Sequence, residues 1–191
     1  MIDPDDTALV MINYSTEFFR HTFSKMEFLM GMDYMNSFIS EYNIPVIFTK
    51  RELCYNTSNH DLNGIHNLKE KNRKKNMPPE SDYDENFIKE FNRKIAVKNE
   101  IQVQKEDIFY HSNMEDILEE TERKTVLFGG FFTDTDVFLS SINAGMREYR
   151  SIVISDISST YSERLYFQSL EMISQFIDVL DTRDLGEDFP L

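Results

Sequence analysis

Short apolar runs alternate with segments of helical periodicity along most of the chain. Residues 7–13, TALVMIN, form an apolar run that ends on a polar residue, as a buried strand does. Residues 24–42 predict a helix, because their apolar side chains advance by four, three, four and three positions: Phe28, Met32, Met35, Ile39 and Tyr42. Ser24, with Glu27 three positions later, has the pattern of a capping box at the start of this helix.

The same alternation continues towards the C-terminus. Further strands are predicted at residues 44–50, 124–128, 151–156 and 177–182, with one or two more between residues 95 and 104. Between them, helices are predicted from Ser81 with Phe87, Ile88 and Phe91 on one face, after a cap at Asn113, and over residues 133–148 and 162–176. Strands that alternate with helices form βαβ units, so we predict a three-layer α/β/α fold with a mainly parallel sheet.

Residues 51–80 interrupt this pattern with the weakest periodicity in the chain. They contain a basic run, KEKNRKK at 69–75, which is typical of a solvated loop. We predict that this segment is a long loop or a lid. The 191 residues suit a single domain over 1–191 with a real hydrophobic core.

Composition and charge limit the classes of molecule that this protein is expected to bind. The formal net charge of −14 disfavours nucleic acid and anionic membranes, and no apolar run approaches the ~20 residues that span a bilayer. The one cysteine, Cys54, excludes an intramolecular disulfide framework and favours a reducing compartment. The acidic start of the chain is unlike a signal peptide, so we predict a cytoplasmic protein.

The predicted sheet also predicts where a functional site lies. Ligands of parallel α/β sheets bind at the carboxyl ends of the strands. Those ends are Asn13 with Glu17, Lys50 with Arg51, residues 103–111 and residues 130–136. The stretch GGFFTDTDVFLS places Asp136 just after a strand, on the first turn of a predicted helix, where a carboxylate is a candidate for chemistry or for a helix start.

Taken in chain order, these strand ends resemble the isochorismatase-like hydrolases, the family of nicotinamidases and N-carbamoyl amidohydrolases. TALVMINYSTEFF is similar to the family's first strand, IPVIFTKRE to its second, and IFYHSNMEDIL to its S-A-F-x-x-T-x-L-x-x-L segment. GFFTDTDVFLSSINAG resembles the signature G-x-x-T-x-x-C-V-x-x-T-x-x-x-A, with Gly130, Thr133, Val137 and Ala144 in register. Asp156 falls at the Asp of the family's D-A turn. The resemblance covers nearly the whole chain and implies the same α/β/α fold.

The resemblance implies a catalytic triad, and all three of its positions are changed here. The family's proton-accepting Asp falls on Asn13, its Lys on Val103 and its nucleophilic Cys on Asp136. An amide is not ionisable in the working range, so Asn13 cannot act as a general base. Valine supplies neither charge nor donor. At a helix start, free N–H groups favour an ionised carboxylate, which is a poor nucleophile towards amides.

Other residues near the predicted cleft are candidates for a pocket. Lys105 is two residues beyond Val103, about 7 Å along the same strand face, and could replace the lysine if the backbone bulges. Glu17 is either a helix-start carboxylate or a catalytic one, and His111 is a further titratable group. Phe132 and Thr133 flank the site. Phe131, Phe132 and Phe138 could form a dry pocket in which Asp136 stays protonated.

We predict no metal and no cofactor. The family's zinc-binding members use an Asp-x-His pair and a later His, whereas the segment here carries His60, Asp61 and His66 without that spacing. A surface loop with two histidines is the simpler interpretation.

Two functions remain open. The first is a catalytically inactive relative of the hydrolases that serves in binding, regulation or assembly, because base, cation and nucleophile are changed together. The alternative is an active hydrolase of a small amide or vinyl-ether substrate, with a site rebuilt around Asp136. The isochorismate-cleaving branch of the family lacks the Cys and uses a first-strand Asp as its acid, but that position is again Asn13. The resemblance further implies a homo-oligomer and allows a small-molecule ligand.

Overall fold

A six-stranded parallel sheet forms the centre of the part of the chain that the computed structural model describes, residues 2–51, 85–98 and 100–188. Its spatial order is β3-β2-β1-β4-β5-β6, and every neighbouring pair is parallel. The strands are β1 Thr7–Ile12, β2 Val46–Arg51, β3 Ile101–Val103, β4 Thr125–Phe131, β5 Arg150–Ser159 and β6 Asp178–Leu180.

Helices cover both faces of this sheet, which confirms the predicted three-layer α/β/α fold. In the described residues they are α1 Thr16–Phe19, α2 Lys25–Tyr42, α3 Glu85–Lys94, α4 Met114–Glu120, α5 Phe138–Met146, α6 Glu163–Ile173 and α7 Thr182–Asp188. Helices α2, α3 and α7 contribute to one core cluster, and α4, α5 and α6 contribute to the other. A 3-10 turn at Pro4–Asp6 precedes β1, and a π-helical turn at Thr133–Val137 precedes α5.

Strand β1 lies at the centre of the sheet and shows why its sequence is a continuous apolar run. All six of its residues are buried. Leu9 and Met11 belong to one core cluster, and Val10 and Ile12 belong to the other. Successive side chains of a strand point to opposite faces, so a strand covered on both faces carries apolar residues towards both, as residues 8–12 do here.

Helix α2 follows the predicted stripe but not the predicted cap. Phe28, Met32 and Met35 are fully buried, and Asn43 closes the helix in a left-handed conformation. Ser24 stands at the N-cap position, yet its side chain makes no capping hydrogen bond. Its hydroxyl instead lies 2.7 Å from that of Ser159 at the end of β5. The predicted helix start is therefore correct, but the predicted capping hydrogen bond of Ser24 is wrong.

The C-terminal part of β4 differs from the prediction. We expected the strand to end before the two glycines, but β4 continues through both to Phe131. Gly130 has a φ of +105°, and a Cβ there would lie 2.0 Å from the carbonyl oxygen of Ile12. Glycine therefore allows the strand to lie against β1 where any side chain would collide.

Strand β5 is also longer than predicted, because it runs from Arg150 to Ser159. Asp156 consequently lies inside a strand rather than at the turn that we expected after it. Of the strands that we considered between residues 95 and 104, the described part holds the three-residue β3.

Several predicted features lie outside the described residues. These are residues 52–80 of the predicted loop or lid, with Cys54 and the basic run, and the proposed helix start at Ser81. Arg51, which we placed in that loop, is instead the last residue of β2. The described helix over that last segment is α3, with Ile88 and Phe91 buried as predicted. Within the described ranges, no helix is long and apolar enough to cross a membrane.

Candidate functional site

The ends of β1, β2 and β4 bring together a cluster of buried polar and charged side chains. Asn13 directly follows β1, Arg51 is the last residue of β2, and Asp136 lies in the π-helical turn after β4. These strands are neighbours in the sheet, with Ile12 in register with Thr49 and with Gly130. Residues distant in sequence therefore meet at one edge, as the parallel-sheet rule predicts.

Asn13 is completely buried, and hydrogen bonds occupy both ends of its amide. Its Oδ1 accepts a bond of 2.7 Å from the backbone N–H of Arg51. Its Nδ2 donates to the carbonyl of Phe131 at 2.6 Å and to Oδ1 of Asp136 at 2.9 Å. The φ of 51° is left-handed, a conformation that asparagine tolerates better than most residues. Asn13 thus joins the ends of three strands.

Asp136 accepts four hydrogen bonds through its carboxylate. Besides the bond from Asn13, Arg51 donates from Nε to Oδ1 at 2.6 Å and from Nη2 to Oδ2 at 3.4 Å. The hydroxyl of Thr135 donates to Oδ2 at 2.8 Å. Only 1% of the Asp136 side chain and 2% of the Arg51 side chain are exposed, so this is a buried ion pair with charge-assisted hydrogen bonds.

The cation of this site is Arg51, and sequence reasoning did not assign it that role. Val103, which the resemblance places at the lysine position, is buried and lies in register with Arg51 across β2 and β3. Lys105 is half-buried two residues farther on. Glu106 adds a second acidic group, with Oε1 4.0 Å from Nη1 of Arg51. The sequence did place Arg51 at a strand end, where ligands bind, and this position is the signal from which its role could have been predicted.

The remaining pocket candidates divide into exposed and buried residues. Glu17 lies exposed in the first turn of α1, and His111 lies exposed next to the ring of Tyr110. Phe132 is 2% exposed, and its ring centre lies 5.4 Å from that of Phe18. Thr133 is fully buried, and its hydroxyl has no hydrogen-bond partner within the described chain.

The turn that carries Asp136 has π-helical geometry, in which the N–H of Val137 donates to the carbonyl of Phe132 at 3.1 Å. We predicted a regular helix from Thr133, but the α-helix itself begins at Phe138. Single π turns inside helices are rare and frequently occur at functional sites. Here the turn carries the carboxylate that pairs with Arg51.

The described ranges contain no group of three or more His, Cys, Asp or Glu residues that could hold a metal ion. His60, Asp61 and His66, the residues that we considered as ligands, lie outside those ranges.

The isochorismatase domain is the family whose model matches this sequence, over residues 7–184. The chain belongs to the isochorismatase family. This match confirms the resemblance that the strand ends predict, and it spans every strand of the sheet. A comparison with curated proteins finds no match.

Solved structures with the isochorismatase fold superpose on nearly the whole chain. YcaC from Pseudomonas aeruginosa, solved with hexane-2,5-diol and covalent acrylamide, is 15% identical with a TM-score of 0.70, over 97% of this chain and 80% of that one. A cysteine hydrolase from Pseudomonas syringae is 14% identical with a TM-score of 0.71, over 96% and 92%. The YcaC product of Escherichia coli, an octameric hydrolase of unknown specificity, is 13% identical with a TM-score of 0.65, over 94% and 77%. At these identities the likeness shows the fold.

Proposed function

We propose that this isochorismatase-family protein does not hydrolyse the family's substrates and that it serves in binding, regulation or assembly. The buried ion pair between Arg51 and Asp136 carries the proposal. In this proposal Asn13, Val103 and Asp136 occupy the positions of the family's base, cation and nucleophile.

Asn13 supports the proposal because an amide, which does not take up a proton in the working range, stands where the proposal places the family's proton-accepting aspartate. Both hydrogens of its Nδ2 are donated, one to Phe131 and one to Asp136, and its oxygen accepts from Arg51. A general base must be able to take up a proton at the working pH. A neutral amide with this bonding has a structural role, which is to hold the three strand ends together.

Asp136 supports the proposal because its lone pairs are already engaged. A nucleophile needs an accessible electron pair and a neighbouring base that activates it. The Asp136 carboxylate accepts bonds from Asn13, Arg51 and Thr135 and is almost completely buried. The alternative function, hydrolysis with Asp136 as a general acid, needs a protonated side chain, whereas pairing with a guanidinium uses the carboxylate form.

A turnover assay tests the proposal. The purified protein is incubated with nicotinamide, an N-carbamoyl compound and isochorismate, and product formation is followed in each case. We expect no turnover above the uncatalysed rate.

Reproducible turnover of any of these substrates would contradict the proposal. To separate turnover by this chain from that of a contaminating enzyme, Asp136→Asn is compared with Asp134→Asn, which changes the same turn two positions earlier. Both variants are first checked for a native circular-dichroism spectrum. Activity that disappears in the first variant and persists in the second would establish the rebuilt hydrolase instead.

The proposal includes self-association and a small-molecule ligand. The octameric state of the YcaC product of Escherichia coli supports a homo-oligomer here. Sedimentation equilibrium measures this directly: a mass that is a multiple of the 22.6 kDa chain is expected, and a monomer at all concentrations would contradict it.

A further inference from the structure

A concave region lies away from the Arg51–Asp136 pair, between helices α2 and α6 and the end of β5. It has a volume of about 480 Å³, which falls in the range of small-molecule pockets. None of Asn13, Arg51, Val103 and Asp136 lines it. We name this region the α2–α6 cavity. Its lining combines aromatic rings with carboxylates.

Aromatic side chains from two helices and a loop form part of the wall. Phe23, Tyr34 and Phe167 are 36%, 50% and 59% exposed. The ring of Tyr166 contacts two of them edge-on, with centroid distances of 5.3 Å to Phe23 and 5.2 Å to Phe167. Large aromatic rings grouped at a cavity, rather than scattered singly, mark a binding surface. Their faces are electron-rich and attract cations.

Carboxylates complete the wall. Glu27 lies in the first turn of α2, Glu163 lies in the first turn of α6, and Asp156 belongs to β5. A fourth carboxylate, Asp181, pairs with Arg183 through bonds of 2.5 to 3.2 Å, so the cavity's one cation is already neutralised within the described lining. The charge that remains is negative, which disfavours anionic ligands.

Asp156 is the most enclosed of these carboxylates. Its oxygens accept bonds from the backbone N–H and the hydroxyl of Thr182. Burial raises the pKa of the Asp156 carboxyl, and the bonds from Thr182 oppose that rise. A positively charged ligand in the cavity would stabilise the ionised carboxylate.

The arrangement does not suit a metal ion. A metal site needs three or more ligating groups that converge on one point, and the described residues contain no such cluster of His, Cys, Asp or Glu. Carboxylates spread around a cavity with aromatic rings instead match a larger cation whose charge is carried on apolar groups.

We propose that the α2–α6 cavity binds an organic ammonium ion, with its charge between Glu27, Glu163 and Asp156 and its carbon atoms against Phe23, Tyr34 and Phe167. The site is separate from the proposed loss of hydrolysis, so either proposal can fail without the other.

Choline and n-propylamine are the probes, because one carries a quaternary and the other a primary ammonium. Each is titrated into the intact, isotope-labelled protein while amide chemical shifts are followed. We expect saturable shifts confined to residues of the cavity. The uncharged carbon isostere of choline, 3,3-dimethylbutan-1-ol, has nearly the same shape and should bind at least about tenfold more weakly. Equal binding of the isostere, or no saturation with either cation, would overturn the proposal.

Substitutions then locate the site. Glu163→Gln and Phe167→Leu change exposed cavity residues of α6 and should each weaken cation binding by about threefold or more. Glu171→Gln removes the same charge from the same helix but lines a different groove, so binding should stay within about twofold. Equal weakening by Glu163→Gln and Glu171→Gln would indicate attraction to the acidic surface in general and would reject the cavity. Thermal melting of each variant confirms that it is folded.

Discussion

Asp136 and Asp156 are two enclosed aspartates at the sheet, and they differ in what surrounds the carboxylate. Asp136 accepts bonds from Arg51, Asn13 and Thr135 and is 1% exposed. Asp156 accepts bonds from Thr182, lines an open cavity, and has its pKa raised by burial. For Asp136, the guanidinium of Arg51 supplies the positive charge that pairs with the carboxylate, which gives it a structural role. The Asp156 carboxylate instead lines a cavity, where a bound cation could supply the positive charge that pairs with it.

A glycine lies close to each of these regions. Gly130 allows β4 to lie against the end of β1, next to Asn13. Gly31 allows α2 to lie directly on Asp156, because a Cβ there would be 2.7 Å from that residue's carbonyl oxygen. Both sites therefore depend on a close backbone approach, which only glycine permits without a shift of the neighbours.

The largest effect is expected from breaking the ion pair. Asp136→Asn removes the carboxylate whose Oδ1 lies 2.6 Å from Nε of the buried Arg51 side chain. We expect the free energy of unfolding to fall by about 3 to 5 kcal/mol, as measured by chemical denaturation. Asp116→Asn, an exposed change in the first turn of α4, is the control and should cost less than about 0.5 kcal/mol.

The double variant Asp136→Leu with Arg51→Met sharpens this prediction. It removes both charges of the pair together and should lose less stability than Asp136→Asn alone, because the guanidinium is removed along with its carboxylate partner. If the double variant were instead the less stable of the two, packing around the site rather than charge compensation would hold it together.

The next largest effect is expected at the glycines. Gly130→Ala adds a Cβ at 2.0 Å from the carbonyl oxygen of Ile12 and forces alanine into a positive φ, so we expect the free energy of unfolding to fall by about 3 kcal/mol. Gly31→Ala meets Asp156 at 2.7 Å without that backbone strain and should cost about 1 to 3 kcal/mol. Denaturation curves give both values. A larger loss at Gly31 would mean that the α2–β5 contact is the tighter of the two.

The smallest effect is a change in pH dependence at Asp156. Because its pKa is raised above the ordinary 3.8, the folded protein holds this proton more tightly than the unfolded chain does. The stabilisation is fully present below pH 3.8 and is lost as the pH rises through the folded pKa. Asp156→Asn removes this loss, so its melting temperature should rise relative to the natural protein between about pH 4 and about pH 7.

Asp116→Asn controls for the general loss of one negative charge from an acidic protein. A difference in melting temperature between Asp156→Asn and the natural protein that does not change across this pH range would contradict a raised pKa at Asp156.

Elements with strong periodicity were predicted well from sequence, whereas two short helices, α1 and α7, were not. The apolar run of β1 and the stripe of α2 are local patterns, so the structure reproduces them. Helix α1 has four residues, too few turns to show a pattern, and α7, TRDLGED, has one large apolar residue, Leu185, in its seven. From sequence alone, the two glycines of β4 indicated a strand end. Their actual role is the close approach to β1, which cannot be recognised from the sequence of β4 itself.

The sequence by itself determined the alternation of buried strands and amphipathic helices, and with it the parallel sheet, its carboxyl edge and the family. Only the tertiary structure decided the partners of Asp136. Arg51 lies 85 positions away and Asn13 lies 123 positions away. Periodicity reports which side of an element faces the core, whereas the pairing of charges at a strand end depends on the order and register of strands from distant parts of the chain.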